Sequence, residues 1–122
     1  MTSDGAANQN GDLARMQVNA AKNQSLFREV NERIEELRPH DMLIEFACEC
    51  IETDCAASLS LSDDEYEDVR RFPTHFIVFP GHERDEVERV VVQNDRYAIV
   101  EKFGAAGPAA VRLDPRGRRT AV

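Results

Sequence analysis

The three cysteines of this 122-residue chain all lie within eight residues, in the pattern Cys48-x-Cys50-x4-Cys55. Three cysteines cannot all pair within one chain, and secreted domains usually carry an even number at dispersed positions. Clustered thiols are instead typical of metal or redox sites in a reducing compartment. The pattern therefore predicts a cytoplasmic protein organised around one thiol-rich loop.

Cys48 and Cys50 belong to a predicted strand, so their side chains point to the same face. The four-residue connection that follows is long enough for the chain to fold back and bring Cys55 to the same place. Zinc takes four ligands in a tetrahedron, and its structural sites combine cysteine sulfurs with histidine nitrogens. The spacing therefore favours zinc. A redox thiol pair, or cysteines buried as small apolar residues, remain as alternatives.

A histidine is expected as the fourth ligand because the chain has no fourth cysteine. His82 is the first choice, since it follows the turn Pro80-Gly81 at the end of a predicted strand. His75, within that strand, and His40, next to a helix end, are alternatives that are less well placed. The predicted metal ligands are Cys48, Cys50, Cys55 and His82.

Catalysis is not indicated by the sequence. A catalytic zinc site would need an open coordination position and a base, for which Glu83 and Glu49 are the nearest candidates. Sulfur-rich ligation is commoner in structural sites, and the chain lacks the phosphate-loop, dinucleotide, serine-elbow and His-Glu-x-x-His motifs. A closed, structural zinc site is therefore favoured over a catalytic one.

The longest predicted element is a helix near the N-terminus. Residues 1–13 are small and polar without apolar periodicity, so they are expected to be a disordered tail. Helix-forming residues begin at Ala14, and Pro39 is expected to end the helix at Arg38. Apolar residues recur there every three or four positions and are expected to pack on a sheet: Phe27, Val30, Ile34 and Leu37.

The remaining elements are mostly strands. Alternating or β-branched runs predict strands, and Ser62 with Glu65 is a capping-box signature for a short helix that ends near Arg71. The predicted strands are Met42–Cys50, Ala57–Leu61, Thr74–Phe79, Val90–Gln93 and Arg96–Glu101, the last two forming a hairpin.

These elements predict an α+β fold, in which a long N-terminal helix packs on a small, mostly antiparallel sheet with one further short helix and the cysteine loop. A single domain is expected over residues 14–103. Residues 104–122 are rich in Gly, Ala and Pro and then in Arg, so they are expected to form a flexible linker and a basic C-terminal tail.

The order of several short strings resembles a family of small uncharacterised proteins from high-GC Gram-positive (actinobacterial) bacteria, over about residues 25–102. The strings are Phe27–Ile34 (FREVNERI), Phe46-x-Cys48-Glu49-Cys50 with Cys55, Leu61–Tyr66, Pro80-Gly81-His82-Glu83, Glu88–Val91 and Tyr97–Lys102. The resemblance implies that the three cysteines and His82 belong together. It implies no activity or substrate.

The charge of the chain disfavours several classes of partner. With 15 basic and 23 acidic residues the formal charge is −8, which repels nucleic acid and anionic lipid. No apolar stretch approaches the roughly 20 residues of a membrane span, so no membrane association is expected. A basic tip would allow only weak, salt-sensitive contact with nucleic acid: Arg112, Arg116, Arg118 and Arg119.

The sequence therefore predicts a small, non-enzymatic, zinc-binding regulatory or adaptor protein that acts through contact with another protein. A homodimer through the N-terminal helix is a further expectation. The acidic run at 63–68 is interpreted as a solvated helix start, with a docking patch for a basic partner as the alternative. A thiol-based redox or zinc-responsive switch is the alternative function, and a zinc-dependent hydrolase is less favoured.

Overall fold

A computed structural model of the chain describes residues 2–38, 42–52 and 55–116. The elements in chain order are α1 (Thr2–Leu37), β1 (Ile44–Ala47), β2 (Ser58–Leu61), α2 (Asp63–Arg70), β3 (His75–Val78), β4 (Glu88–Gln93), β5 (Ala98–Lys102) and α3 (Ala106–Leu113). This is the predicted α+β fold, with a long helix, small antiparallel sheets and a cysteine cluster.

The strands form two small sheets. β1 pairs with β2, and the other sheet has the order β3-β5-β4, with every pairing antiparallel. The two sheets are linked by a backbone bond of 2.8 Å from Glu49 N to Ile77 O. The predicted β4–β5 hairpin is confirmed, with a bulge between Val90 and Val92. The segment that follows β1, which carries two cysteines, therefore lies against β3.

The short helix α2 begins as its capping box predicts. Ser62 Oγ accepts from Glu65 N at 3.1 Å, and the Glu65 carboxylate accepts from Ser62 N at 2.8 Å. These bonds satisfy two backbone donors that the first turn of a helix leaves unpaired. The helix buries Tyr66 against the ring of Phe46, with 4.4 Å between the ring centroids. This stack lies in the larger apolar core, which sits between α2 and the strands.

The structure corrects the prediction for the start of α1. Residues 2–13, expected to be a disordered tail, belong to this helix, which extends without interruption to Leu37. The prediction of a tail rested on the absence of an apolar stripe, but a helix can continue from an anchored segment because each added residue gains a backbone bond once the helix has begun.

The predicted core stripe of α1 is also wrong. Leu37 is 77% exposed and Val30 is 49% exposed, while Ile34 packs only at the edge of the core. The buried face is polar instead, with Gln24, Arg28 and Asn31 at three- and four-residue spacing and fully buried. α1 therefore docks through hydrogen bonds to the strands and their connections, and not through an apolar stripe.

Arg28 shows how this polar face contacts the rest of the fold. Its guanidinium donates to Pro73 O at 2.8 Å and to His75 O, and it lies 3.6 Å from the ring centroid of Phe76. Burial lowers the pKa of Arg28 to about 10. Because a buried polar group costs free energy unless it is paired, these contacts fix both the position and the rotation of α1 on the sheet.

The C-terminal segment is a third correction, because α3 occupies residues expected to be a flexible linker. Ala106 and Ala109 of α3 are fully buried and cluster with Ala21 of α1, since small side chains let two helices approach closely. Arg116, expected to lie on a free basic tail, donates to Glu32 at 2.6 Å. Arg118 and Arg119 lie outside the described residues.

Among the described residues, no helix combines the length and the apolar character that a membrane span requires.

Candidate metal centre

The four predicted ligands come from three separate places in the fold. Cys48 and Cys50 follow β1 directly and are buried, while Cys55 precedes β2 and is half-buried. His82 follows β3 in a turn that is closed by a bond of 2.9 Å from His82 N to Phe79 O. Gly81 gives this turn a φ of 95°, a conformation that glycine adopts without steric cost.

The ligand atoms of these four residues lie close together. His82 Nδ1 is 3.6 Å from Cys48 Sγ and 3.6 Å from Cys55 Sγ. One ligand atom from each residue, Cys50 included, lies within 4.8 Å of all the others. A tetrahedral zinc with usual bond lengths would separate its sulfur and nitrogen ligands by about 3.5 Å. The three cysteines and His82 therefore form a group that can hold a metal ion.

The two buried thiols differ in their hydrogen bonds. Phe79 N donates to Cys48 Sγ at 3.1 Å, as backbone amides do to metal-bound thiolates, while Cys50 Sγ lies 3.9 Å from Glu52 O. Burial raises the pKa of both thiols above the ordinary value. Without a metal these side chains stay protonated at neutral pH, so a metal ion must displace their protons when it binds.

Glu49, between the two buried cysteines, ties the ligand segment to the rest of the fold. Its side chain is fully buried and accepts from Asn31 Nδ2 at 2.8 Å and from Ile77 N at 3.0 Å. Gln24 Nε2 donates to the Glu49 carbonyl at 2.8 Å. Burial raises the pKa of Glu49 above its ordinary value. Glu49 therefore anchors the ligand segment structurally, whereas the sequence offered it as a candidate base for a catalytic zinc site.

Asn31 and Gln24 support the site although the sequence did not single them out. Asn31 Nδ2 donates to Ala47 O at 2.9 Å, and Asn31 Oδ1 accepts from Ala47 N at 2.8 Å. Ala47 immediately precedes the first ligand, so Asn31 fixes the backbone that carries Cys48. The only signal in the sequence is the helical spacing of Gln24, Arg28 and Asn31, which is easily taken for a solvated face.

Of the alternative fourth ligands, His75 is not part of this group. His75 Nε2 lies 3.4 Å from Glu101 Oε2, and its ring stacks on Phe72 with 4.7 Å between the centroids. His40 lies outside the described residues. His82 is therefore the histidine that the structure brings to the cysteines.

An open cavity of about 510 Å³ lies beside the cysteines. Its lining includes Cys50, Cys55 and His82 together with the small residues Ala56 and Gly81. Arg84 and Glu52, which form an ion pair, and Glu83 also line this cavity. One side of the candidate metal centre is consequently accessible to small molecules.

A second group of acidic side chains lies at the start of α2. One carboxylate oxygen from each of Glu35, Asp63 and Glu67 lies within 4.8 Å of the others. Arg116 donates to Glu67 at 2.7 Å and to Glu35 at 3.4 Å. Burial and the neighbouring carboxylates raise the pKa of Glu35 to about 9. A proton retained on Glu35 and the positive charge of Arg116 together reduce the repulsion within this group.

The fold and the site define a small α+β protein with a Cys3His group that can hold a metal ion. Comparison with family models, with curated proteins and with solved structures finds no match for this chain. Its function is therefore argued from the site and the surface alone.

Proposed function

We propose that this chain is a small, non-enzymatic, zinc-binding protein that acts as a regulator or adaptor by contacting another protein. The observation that carries the zinc assignment is the convergence of three cysteine sulfurs and His82 Nδ1 within 4.8 Å. Thiolate and imidazole ligands in a tetrahedral arrangement favour zinc over magnesium or calcium, which prefer oxygen ligands.

A structural role for the metal is supported by the number of protein ligands. Four side chains would fill a tetrahedral zinc and leave no position for a reacting water. The hydrolase alternative needs such a position, so it is less favoured. Binding would join the segment after β1 to the turn after β3, and metal binding at such a site contributes directly to folding free energy.

The acidic run at the start of α2 is a weaker candidate for partner contact than its composition suggests. Glu65 pairs with Arg96 at 2.7 Å, and Glu67 pairs with Arg116 at the same distance. Asp68 pairs with Arg71. Much of the negative charge is therefore compensated within the chain.

The edge strand β4 is a better candidate surface for a partner. Val90, Val91 and Val92 are each between 37% and 47% exposed. β4 ends the order β3-β5-β4, so one of its edges has no strand beside it in the described part of the chain. Such an edge can accept an added strand from another protein, with the valines supplying apolar contact. A homodimer through α1, where Leu26 and Leu37 are exposed, is the competing arrangement.

The zinc assignment is tested by native mass spectrometry of full-length protein purified without chelator. We compare His82→Ala with the matched control His75→Ala, which removes the same side chain outside the cysteine group. The proposal expects about one zinc per chain in the wild type and in His75→Ala, and loss of zinc in His82→Ala. Absence of zinc from the wild type, or equal retention by both variants, would refute it.

The adaptor role is tested by cross-linking and affinity capture with zinc-loaded protein. Val91→Lys places a charge on the β4 edge, and Val111→Lys places the same charge at an exposed valine of α3. We expect a protein captured by the wild type and by Val111→Lys but lost from Val91→Lys. If no protein distinguishes the two variants, the β4 assignment is wrong. Light scattering of the same samples shows whether the protein that binds the β4 edge is a second copy of this chain.

A thiol-based switch is the second candidate function, because the half-buried Cys55 lines an open cavity. Three free cysteines are consistent with the proposed cytoplasmic location.

A further inference from the structure

The cavity beside the metal centre does not reach the three cysteines equally. Cys50 and Cys55 belong to its lining and Cys48 does not. Cys55 is half-buried, whereas Cys48 and Cys50 are 2% and 1% exposed. A small molecule in this cavity therefore meets Cys55 first, with Cys50 next to it.

The hydrogen bonds also distinguish the sulfurs. Cys48 Sγ accepts from Phe79 N at 3.1 Å, which draws electron density away from that sulfur. No backbone N–H of the described residues donates to Cys55 Sγ, whose polar neighbour is His82 Nδ1 at 3.6 Å. Exposure distinguishes Cys55 from both other cysteines, and the lack of a backbone donor distinguishes it from Cys48, so the Cys55 thiolate is the most nucleophilic of the three.

We propose that this cavity is a peroxide-reaction site at which Cys55 is oxidised first and Cys50 then closes a disulfide with it. The inference rests on the zinc centre of the proposed function and assigns its regulation. The co-reactant is a hydroperoxide, with hydrogen peroxide as the smallest example. Disulfide formation would remove two of the four ligands, and the remaining Cys48 and His82 would not retain the metal.

The chemistry balances in two steps. The Cys55 thiolate attacks one peroxide oxygen, the O–O bond breaks with two electrons from sulfur, and hydroxide leaves while Cys55 becomes a sulfenic acid. The Cys50 thiolate then attacks the Cys55 sulfur, the S–O bond breaks and a second hydroxide leaves. Two protons from solvent convert the hydroxides to water. Two thiolates are thus oxidised to one disulfide, and one hydrogen peroxide is reduced to two waters.

Cys50 is assigned as the resolving residue on geometry. The sulfurs of Cys48 and Cys50 both lie within 4.8 Å of Cys55 Sγ, but only Cys50 lines the same cavity as Cys55. Cys48 does not line the cavity, and its sulfur accepts a hydrogen bond from the backbone N–H of Phe79, which follows β3.

The test treats zinc-loaded, full-length protein with hydrogen peroxide while a chromogenic chelator follows zinc release. Peptide mass spectrometry then identifies the cysteine pairing. We expect release of one zinc per chain, a Cys50–Cys55 disulfide with Cys48 as free thiol, and recovery of zinc binding after reduction. Bound zinc that survives peroxide, or disulfides that involve Cys48 as often as Cys50, would overturn the inference.

Two variants that retain all four ligands distinguish the effect of access to the cavity from the effect of metal affinity. Ala56→Leu adds bulk to the cavity lining and narrows access to it, and Ser58→Leu adds similar bulk to an exposed position outside the lining. Zinc release should be several-fold slower in Ala56→Leu than in the wild type and unchanged in Ser58→Leu. Equal rates in both would contradict the cavity route. Protein that carries no zinc before peroxide is added would instead refute the proposed function itself.

Discussion

Replacement of Asn31 by alanine tests whether α1 is held on the sheet by its polar face. The wild-type side chain is fully buried and makes two hydrogen bonds to the backbone of Ala47 and one to the Glu49 carboxylate. Asn31→Ala would leave the N–H and C=O of Ala47 without these partners at a half-buried position. It would also remove one of the two donors that hold the Glu49 side chain.

The expected loss follows from these three bonds. A neutral hydrogen bond contributes about 1 kcal/mol to stability, and one to a charged group contributes about 1.5–3 kcal/mol. Alanine recovers up to about 0.7 kcal/mol of helix propensity, so the net loss should be about 3–4 kcal/mol. That is a large fraction of the roughly 5–15 kcal/mol that stabilises an ordinary domain.

The assay is urea unfolding followed by circular dichroism, with zinc-loaded protein and with Asn19→Ala as the matched control. Asn19 is exposed on the same helix, so its replacement reports helix propensity alone and should be neutral or slightly stabilising. Zinc affinity should fall in Asn31→Ala as well, because Ala47 and Glu49 flank Cys48. A loss below about 1 kcal/mol relative to Asn19→Ala would refute the polar docking of α1.

Three further predictions concern the buried charges and the metal. Glu88→Gln leaves Lys102 buried without its counter-charge and should lower the free energy of unfolding by about 3–5 kcal/mol in the same urea assay. Glu101→Gln removes a charge from the exposed pair with Arg89 and should lower it by at most about 1 kcal/mol. Because the pKa of Glu35 is raised from 4.5 to about 9, wild-type stability should fall as pH rises through this window, and Glu35→Gln should abolish that fall in unfolding curves at pH 5, 7 and 9. Removal of metal by a chelator should lower the unfolding temperature, and zinc but not magnesium should restore it; an unchanged temperature would argue against a structural metal.

The parts of the fold that depend on local signals could be predicted from the sequence. The Ser62 and Glu65 capping box gave the start of α2, and β-branched runs gave the hairpin of β4 and β5. The cysteine spacing and the turn before His82 led to the group that the structure brings together. The capping box and the hairpin join residues that are close in sequence. The predicted metal ligands are cysteine and histidine, which are residue types with few alternative roles.

The docking of α1 could not be predicted, because its partners are distant backbone groups. Asn31 binds Ala47, and Arg28 binds Pro73 and His75, so the burial of these polar residues depends on strands that form elsewhere in the chain. Apolar periodicity placed Leu37 in the core because hydrophobicity is the usual reason for burial. Here, hydrogen bonds to the sheet determine which face of α1 is buried.

The helix α3 was missed because its composition resembles that of a linker. Glycine and proline disfavour helices in general, but Pro108 lies in the first turn, where its missing N–H is not needed. Small side chains such as Ala109 bury little apolar area, yet they permit close packing on Ala21 of α1. Only the tertiary partner distinguishes this segment from a flexible one.

We propose that Cys48, Cys50, Cys55 and His82 bind zinc as a closed set of four ligands. X-ray absorption at the zinc edge, on full-length protein purified without chelator, tests it most directly. We expect three sulfur neighbours at about 2.3 Å and one nitrogen at about 2.0–2.1 Å, with the nitrogen lost in His82→Ala. A shell dominated by oxygen or nitrogen, or the absence of stoichiometric zinc, would contradict it.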